Sequence, residues 1–129
     1  MRVYLDAAPV IYLIQTIPPL AATVEAYIAG PGVEVVVSDL TRLECRVKPM
    51  RDADATLLSQ FDRFFSAAVH EIVPLSRAVL DRATEFRAQY GFTTPDAIHI
   101  AAALVGSCDV FLTNDHRLNR AVGIQVQVV

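Results

Sequence analysis

Val33-Glu34-Val35-Val36-Val37-Ser38-Asp39 is the stretch on which the fold turns. A strand with one wet face alternates apolar and polar residues, whereas this run is short, β-branched and almost wholly apolar. That is the signature of a strand covered on both faces, as strands of parallel sheets are. Ser38-Asp39 then offer good N-caps, so a helix leaves directly from the strand's end. Upstream, Met1 to Leu5 is another apolar, β-prone run that stops at Asp6. Pro9 suits an early helical position, and Val10, Ile11, Leu13 and Ile14 supply a helical stripe that Pro18-Pro19 interrupts. Leu20, Ala21, Val24, Tyr27 and Ile28 resume the pattern until Gly30-Pro31-Gly32.

Downstream, Asp52 to Ala68 carries Leu57, Leu58, Phe61, Phe64, Phe65 and Ala68 on one helical face. Glu71 to Leu75 reads as a third strand, and Ser76 caps a helix with Val79, Leu80, Ala83, Phe86 and Tyr90 inward, closed by Gly91. Thr94-Pro95-Asp96 opens the next helix with a hydroxyl cap, a first-turn proline and an acid at the positive end of the dipole. Val110 to Leu112 is strand four, and Ile124 to Val128 alternates as an edge strand does. Strands and helices alternating in this way predict an α/β layer fold with a mostly parallel central sheet.

With 129 residues the chain fits one domain, 1–129, at about 100 to 200 residues per domain. Its 53% apolar content against 19% charged supplies a core and excludes disorder. Eleven Lys and Arg against fourteen Asp and Glu give a net charge of -3, so any nucleic-acid contact must be local. The apolar runs fall short of the roughly 18 residues of a membrane span and no signal peptide opens the chain, so a soluble, cytoplasmic protein without membrane contact is expected. Cys45 and Cys108 form no C-x-x-C pair and read as small buried thiols.

Ligands of open α/β sheets bind at the carboxyl ends of the strands. Asp6 ends the first strand there, and Glu44 lies a turn or so into the helix leaving the second. Asp96 begins the helix that returns to strand four, and Asp115 follows that strand in Leu112-Thr113-Asn114-Asp115. Four acids thus converge on one rim. Carboxylates gathered together raise one another's pKa unless a cation neutralises them. Oxygen ligands without a Cys or His cluster favour magnesium or manganese, Mg2+ or Mn2+. Such ions activate water for in-line phosphoryl displacement, which implies phosphodiester hydrolysis. Set against this, Asp6 and Asp115 serve equally well as turn residues and Asp96 as a dipole-complementing acid when each is taken alone.

Several stretches carry a resemblance across the whole chain. They are Tyr4-Leu5-Asp6 with Val10-Ile11-Tyr12-Leu13, Ser38-Asp39-Leu40-Thr41-Arg42-Leu43-Glu44, Thr94-Pro95-Asp96-Ala97-Ile98-His99-Ile100-Ala101-Ala102-Ala103, and Phe111-Leu112-Thr113-Asn114-Asp115. In these the sequence resembles the PIN-domain family, and within it the VapC toxins of bacterial toxin-antitoxin pairs. The resemblance implies a three-layer α/β/α PIN-like domain acting as a metal-dependent endoribonuclease, with Asp6, Glu44, Asp96 and Asp115 as catalytic and metal-binding acids. It implies RNA as substrate, a small antitoxin as partner, and a homodimer. One position departs: Ala7 stands where the family usually has Thr, Ser or Asn. The rival reading is a degenerate PIN module that binds RNA or protein without cleavage. Phosphatase and receiver patterns fail, since Ala8 stands where a phosphatase needs its second Asp and Pro74-Leu75-Ser76 offers no phospho-acceptor.

Further candidates have two readings each. Ser38 and Thr41 orient Glu44 or water, or simply cap a helix; Thr113 meets a substrate phosphate or its own loop backbone; Asn114 is a neutral neighbour of Asp115. His99 is a metal ligand or general base, or a structural histidine among Ile98, Ile100 and alanines. Arg42, Arg46, Lys48 and Arg51 grip RNA phosphates, or form a solvated loop face around Pro49. Phe61, Phe64 and Phe65 belong to a core or an oligomer interface.

Overall fold

Five strands, β1 (Arg2–Leu5), β2 (Glu34–Ser38), β3 (Glu71–Val73), β4 (Val110–Thr113) and β5 (Gln125–Val128), form one sheet in the order β3-β2-β1-β4-β5. Every neighbouring pair is parallel, the edge strand β5 included. The computed structural model describes residues 1–121 and 123–129. Register is set through the central strand, where Val3 stands opposite Val35 on one side and Val110 on the other.

Pleating then sorts the apolar runs to two faces, because successive side chains of a strand point oppositely. Val3, Leu5, Val35, Val37, Val110 and Leu112 face one core, shared with Val10, Val24, Phe61, Phe64 and Phe65. Those partners come from α1 (Ala7–Ile14), α2 (Leu20–Ile28) and α4 (Ala55–Ala67), and Cys45 of α3 (Asp39–Arg51) joins them. Tyr4, Val36 and Phe111 face the other core with α5 (Arg77–Tyr90) and α6 (Thr94–Val105), through Val79, Ala83, Phe86, Ile100 and Ala101. The result is three layers, α/β/α. Each fully buried Val, Leu or Phe contributes about 1.5–3 kcal/mol of transfer free energy. The valine-rich β2 is therefore covered on both faces, as its composition requires.

Local chemistry moves three boundaries from their expected places. The third strand ends at Val73 rather than Leu75, because Pro74 has no N–H to give the ladder. Thr93, not Thr94, caps α6 by accepting from the Asp96 N–H, so Thr94 and Pro95 fall inside the first turn. The basic stretch is helix rather than loop: α3 runs through Pro49 to Arg51, with Lys48 and Arg51 in its last turn, where cations complement the dipole. Ser76 and Gly91 bound α5 as expected, with Gly91 in the left-handed region at φ 68°. Phe61, Phe64 and Phe65 are buried core residues.

Candidate functional site

Asp6 emerges where β1 ends, and its backbone N–H still donates to Leu112 O, 3.0 Å away, which ties it to β4. Its carboxylate is held at both oxygens. Oδ1 accepts from the Ala7 N–H at 2.7 Å, and Oδ2 accepts from Thr113 Oγ1 at 2.8 Å. A main-chain donor thus serves the acid at position 7, where alanine offers no side-chain oxygen. Thr113 is fully buried, and its Oγ1 also accepts from the Asp115 N–H at 3.1 Å. Its hydroxyl is committed to fastening two acids.

Glu44 reaches the same point from α3. Its start is fixed by a capping box in which Ser38 Oγ accepts from the Leu40 and Thr41 N–H groups while Thr41 Oγ1 accepts from the Ser38 N–H. Glu44 Oε1 lies 2.5 Å from His99 Nε2, and Asp6 Oδ1 lies 3.3 Å from the same nitrogen. His99, one turn beyond Asp96 on α6, is 1% exposed. On its far side Nδ1 is 2.7 Å from the Tyr4 hydroxyl, which contacts Ser38 Oγ at 2.8 Å and Thr41 Oγ1 at 3.2 Å. Burial disfavours the charged imidazole, but the Glu44 hydrogen bond and the charges of Asp6, Glu44 and Asp96 outweigh it and hold its pKa above the usual value.

Asp96 occupies the first turn of α6, partly buried. Burial, with the charges of Asp6 and Asp115, raises its pKa, although Thr93 and His99 act in the opposite sense. Asp115 behaves differently. Arg117 grips it through Nε at 2.9 and 3.1 Å and through Nη2 at 2.6 Å, and this lowers its pKa. Asp115 also caps the 3-10 helix His116–Arg120 by accepting from the Arg117 N–H. Asn114 is exposed and donates to the Tyr12 hydroxyl at 3.3 Å.

Among the described residues, Asp6, Glu44 and His99 are the group whose potential ligand atoms all lie within 4.8 Å of one another. Asp96 and Asp115 are outside it, although the charges of Asp6 and Asp115 are both felt at Asp96. Buried or half-buried carboxylate oxygens with one imidazole nitrogen suit a divalent cation, and repulsion among the acids favours one. Cys45 adds no thiolate, because burial, then Glu44 and Asp6, push its pKa up to about 12.

The four basic residues divide around α3. Arg42 and Arg46 flank an open groove with Leu43, Val47 and Met50, and Arg46 Nε donates to Asp62 at 2.8 Å. Lys48 lies on the Glu44 side, in a small recess that also includes Gln15 and Pro49. Arg51 is 3.7 Å from Asp52. Sequence patterns missed Tyr4 and Arg117. The signal for Tyr4 was its polar-tipped ring in a strand otherwise without polar side chains from Val3 to Leu5; for Arg117, its place two residues past Asp115.

The PIN-domain family model matches residues 3–124. No curated protein matches the chain in sequence. Among solved structures it is similar to VapBC2 from Rickettsia felis bound to a promoter DNA fragment, with 16% identity and TM-score 0.80, covering 99% of this chain and 98% of that one. DNA-bound VapBC from Salmonella typhimurium gives 16% identity and TM-score 0.78 over 99% and 98%. VapC20 from Mycobacterium tuberculosis, a sarcin-ricin-loop-cleaving toxin, gives 12% identity and TM-score 0.69 over 84% and 86%. At these identities the likeness is one of fold.

Proposed function

This chain belongs to the PIN-domain family, and from that premise we propose that it is a metal-dependent endoribonuclease, the VapC-type toxin of a toxin-antitoxin pair. The observation that carries the reading is the meeting of Asp6, from the end of β1, with Glu44 of α3 and His99 of α6 at one rim of a parallel sheet. In this reading Asp6, Glu44, Asp96 and Asp115 hold Mg2+ or Mn2+. Such an ion supplies an activated water and neutralises charge on the scissile phosphate.

The protein's own part is preorganisation. Asp6 cannot swing, because the Ala7 N–H and Thr113 hydroxyl hold both its oxygens. Glu44 is steadied by a ring that is itself anchored through Tyr4 to the helix cap. Asp96 stands near the positive end of α6, which partly offsets its repulsion from the other acids. Asp115, oriented by Arg117, would offer a carboxylate oxygen to such an ion. Lys48, which shares a recess with Glu44, contributes to holding RNA phosphates, and Arg51 in the same last turn of α3, with Arg42 and Arg46, extends that basic face. Ser38 and Thr41 act through the Tyr4 network, and Asn114 shapes the rim. Ala7 gives the binding-only alternative no support, since Asp6 remains fully held.

The similar complexes pair a toxin with an antitoxin, which supports an antitoxin partner here. Exposed Leu43, Val47 and Met50 on α3 support a face for protein contact, with the antitoxin or in a homodimer. Among the described residues no helix is long and apolar enough to cross a membrane, and a cytoplasmic location follows from the proposed RNA substrate. The deciding experiment is cleavage of RNA with Mg2+ or Mn2+, with end-group analysis. The reading expects a 5'-phosphate product and loss of activity with chelator. Activity that survives chelation, or a 2',3'-cyclic phosphate, overturns it.

A further inference from the structure

We propose that Arg117 and Arg120 form an RNA-phosphate subsite beside Asp96, separate from the basic face of α3. The inference deepens the nuclease reading above and rests on its RNA substrate. It starts from a stack of aromatic rings at the end of α5. Gly91, in the left-handed region, turns the chain back so that the Phe92 ring lies on Tyr90, with centroids 5.1 Å apart and planes 13° from parallel. Tyr90 in turn lies on Phe86 at 5.8 Å. Arg120 closes the stack, its Cζ 4.9 Å from the Phe92 centroid. Its Nε donates to Arg117 O at 3.2 Å and its Nη2 to Tyr90 O at 2.9 Å. An exposed arginine ordinarily loses much rotamer freedom when it grips a ligand. This one is already held by a ring and two carbonyls.

Among the described residues Arg120 makes no ion pair, unlike Arg2, Arg46, Arg51, Arg82 and Arg117, so its charge is not neutralised. A guanidinium has five N–H groups in a fixed fork. Arg120 engages two of them with carbonyls, and Arg117 engages its Nε and one Nη2 hydrogen with Asp115. The remaining N–H groups of both side chains, which meet Thr93 and Asp96 around one small recess, have no protein acceptor among the described residues. Paired forks of this kind suit the two free oxygens of a phosphodiester. Asp96 opposes an anion there, and the cation it would hold under the nuclease reading removes that opposition. The strand order gives the subsite its use. Glu44 and Lys48 belong to the helix that leaves β2, whereas Arg117 and Arg120 follow β4, and β2 and β4 flank β1 on opposite sides. An RNA strand crossing the rim at Asp6 thus meets a cation on either side of the acids.

The test measures binding of a fluorescein-labelled single-stranded RNA of mixed sequence to the full chain carrying Asp96→Asn, in chelator, as salt is varied. That background removes the opposing acid, and the chelator keeps the RNA uncut. Adding Arg120→Gln should reduce the slope of log affinity against log salt by about 0.7, and adding Arg117→Gln as well by about 1.4, at about 0.7 per phosphate contact on a single strand. Arg82→Gln is the control: Arg82 caps the other end of the same stack, 5.0 Å from the Phe86 centroid, and its loss removes the same charge and the same kind of ring contact away from the recess. Its slope should equal the background's. A clamp that only fastens the 3-10 helix to α5 would lower the melting temperature of Arg120→Gln and leave its slope unchanged. An unchanged slope in Arg120→Gln, or an equal drop in Arg82→Gln, overturns the inference and leaves the nuclease reading to its own cleavage assay. Should Arg120→Gln fail to fold, the Nε–H resonances of Arg117 and Arg120 in the background chain decide. Shifts on adding RNA uphold the subsite, and resonances unmoved at saturation overturn it. A background chain that binds no single-stranded RNA overturns it too, whatever the parent's cleavage assay shows.

Discussion

Replacing Asp96 by Asn separates a metal site from an ordinary helix start without knowledge of the RNA. In the metal-free chain two effects oppose. A first-turn acid gains about 0.3–1 kcal/mol from the helix dipole, whereas burial and the charges of Asp6 and Asp115 raise the Asp96 pKa, so the charged form is held at a net cost. Asp96→Asn should therefore leave apo stability unchanged or improve it. With metal the sign reverses. Binding to the native state adds RT ln(1 + [L]/Kd), about 2.7 kcal/mol at a hundred times Kd. At about 4 °C per kcal/mol for a domain of this size, that raises the parent's melting temperature by about 10 °C. A variant binding a hundredfold more weakly keeps only about 0.4 kcal/mol at the same free metal, or under about 2 °C. Thermal melts with chelator and then with Mn2+, on parent and variant, measure all four values. If Asp96→Asn costs stability without metal and the parent does not respond to metal, the reasoning fails.

Tyr4→Phe deletes a fully buried hydroxyl on which Ser38, Thr41 and His99 converge; it should cost about 1–3 kcal/mol in urea unfolding, and a change within error would show that water replaces the phenol. Lys48→Gln with Arg51→Gln should reduce the slope of log affinity against log salt for single-stranded RNA by about 1.4, at about 0.7 per lost phosphate contact; an unchanged slope would mark them as solvated charges. Since the folded pKa of His99 is raised above 6.5, its stabilising charge is fully present below that pH and is lost as pH rises through the folded value. Melting temperatures in chelator should thus fall above pH 6.5 in the parent and not in His99→Asn; parallel profiles would refute this.

The layered fold was readable because β1 and β2 are apolar from Val3 to Leu5 and from Val35 to Val37, and because the helices show apolar stripes, all but α2 starting at a side-chain cap. Boundaries depended on single donors. Pro74 ended β3 early, and Thr93 rather than Thr94 had its hydroxyl in reach of the Asp96 N–H. Pro49 suggested a loop, yet it sits near the end of α3 and is tolerated there. At the site, topology alone could bring Asp6 and Glu44 to one rim. Whether His99 touched them could not be read, because apolar neighbours describe the sides of α6 packed in the core and say nothing of what a particular turn meets at the sheet edge. The Arg117 grip on Asp115 was equally hidden, being a choice of rotamer between residues two apart.

The bond from Thr113 Oγ1 to Asp6 Oδ2 joins positions 107 residues apart, and the bridge from Tyr4 to His99 spans 95. A ribosome adding about 5–20 residues per second needs about 5–20 s to travel from the first of these residues to the last. During that interval Asp6 lacks its clamp, Glu44 lacks its imidazole, and a chain stopped before Thr113 never acquires the full arrangement. Nascent and prematurely terminated products therefore lack the assembled site. Under the proposed nuclease reading, the delay separates the moment of manufacture from the moment of danger, and gives the proposed antitoxin time to arrive first.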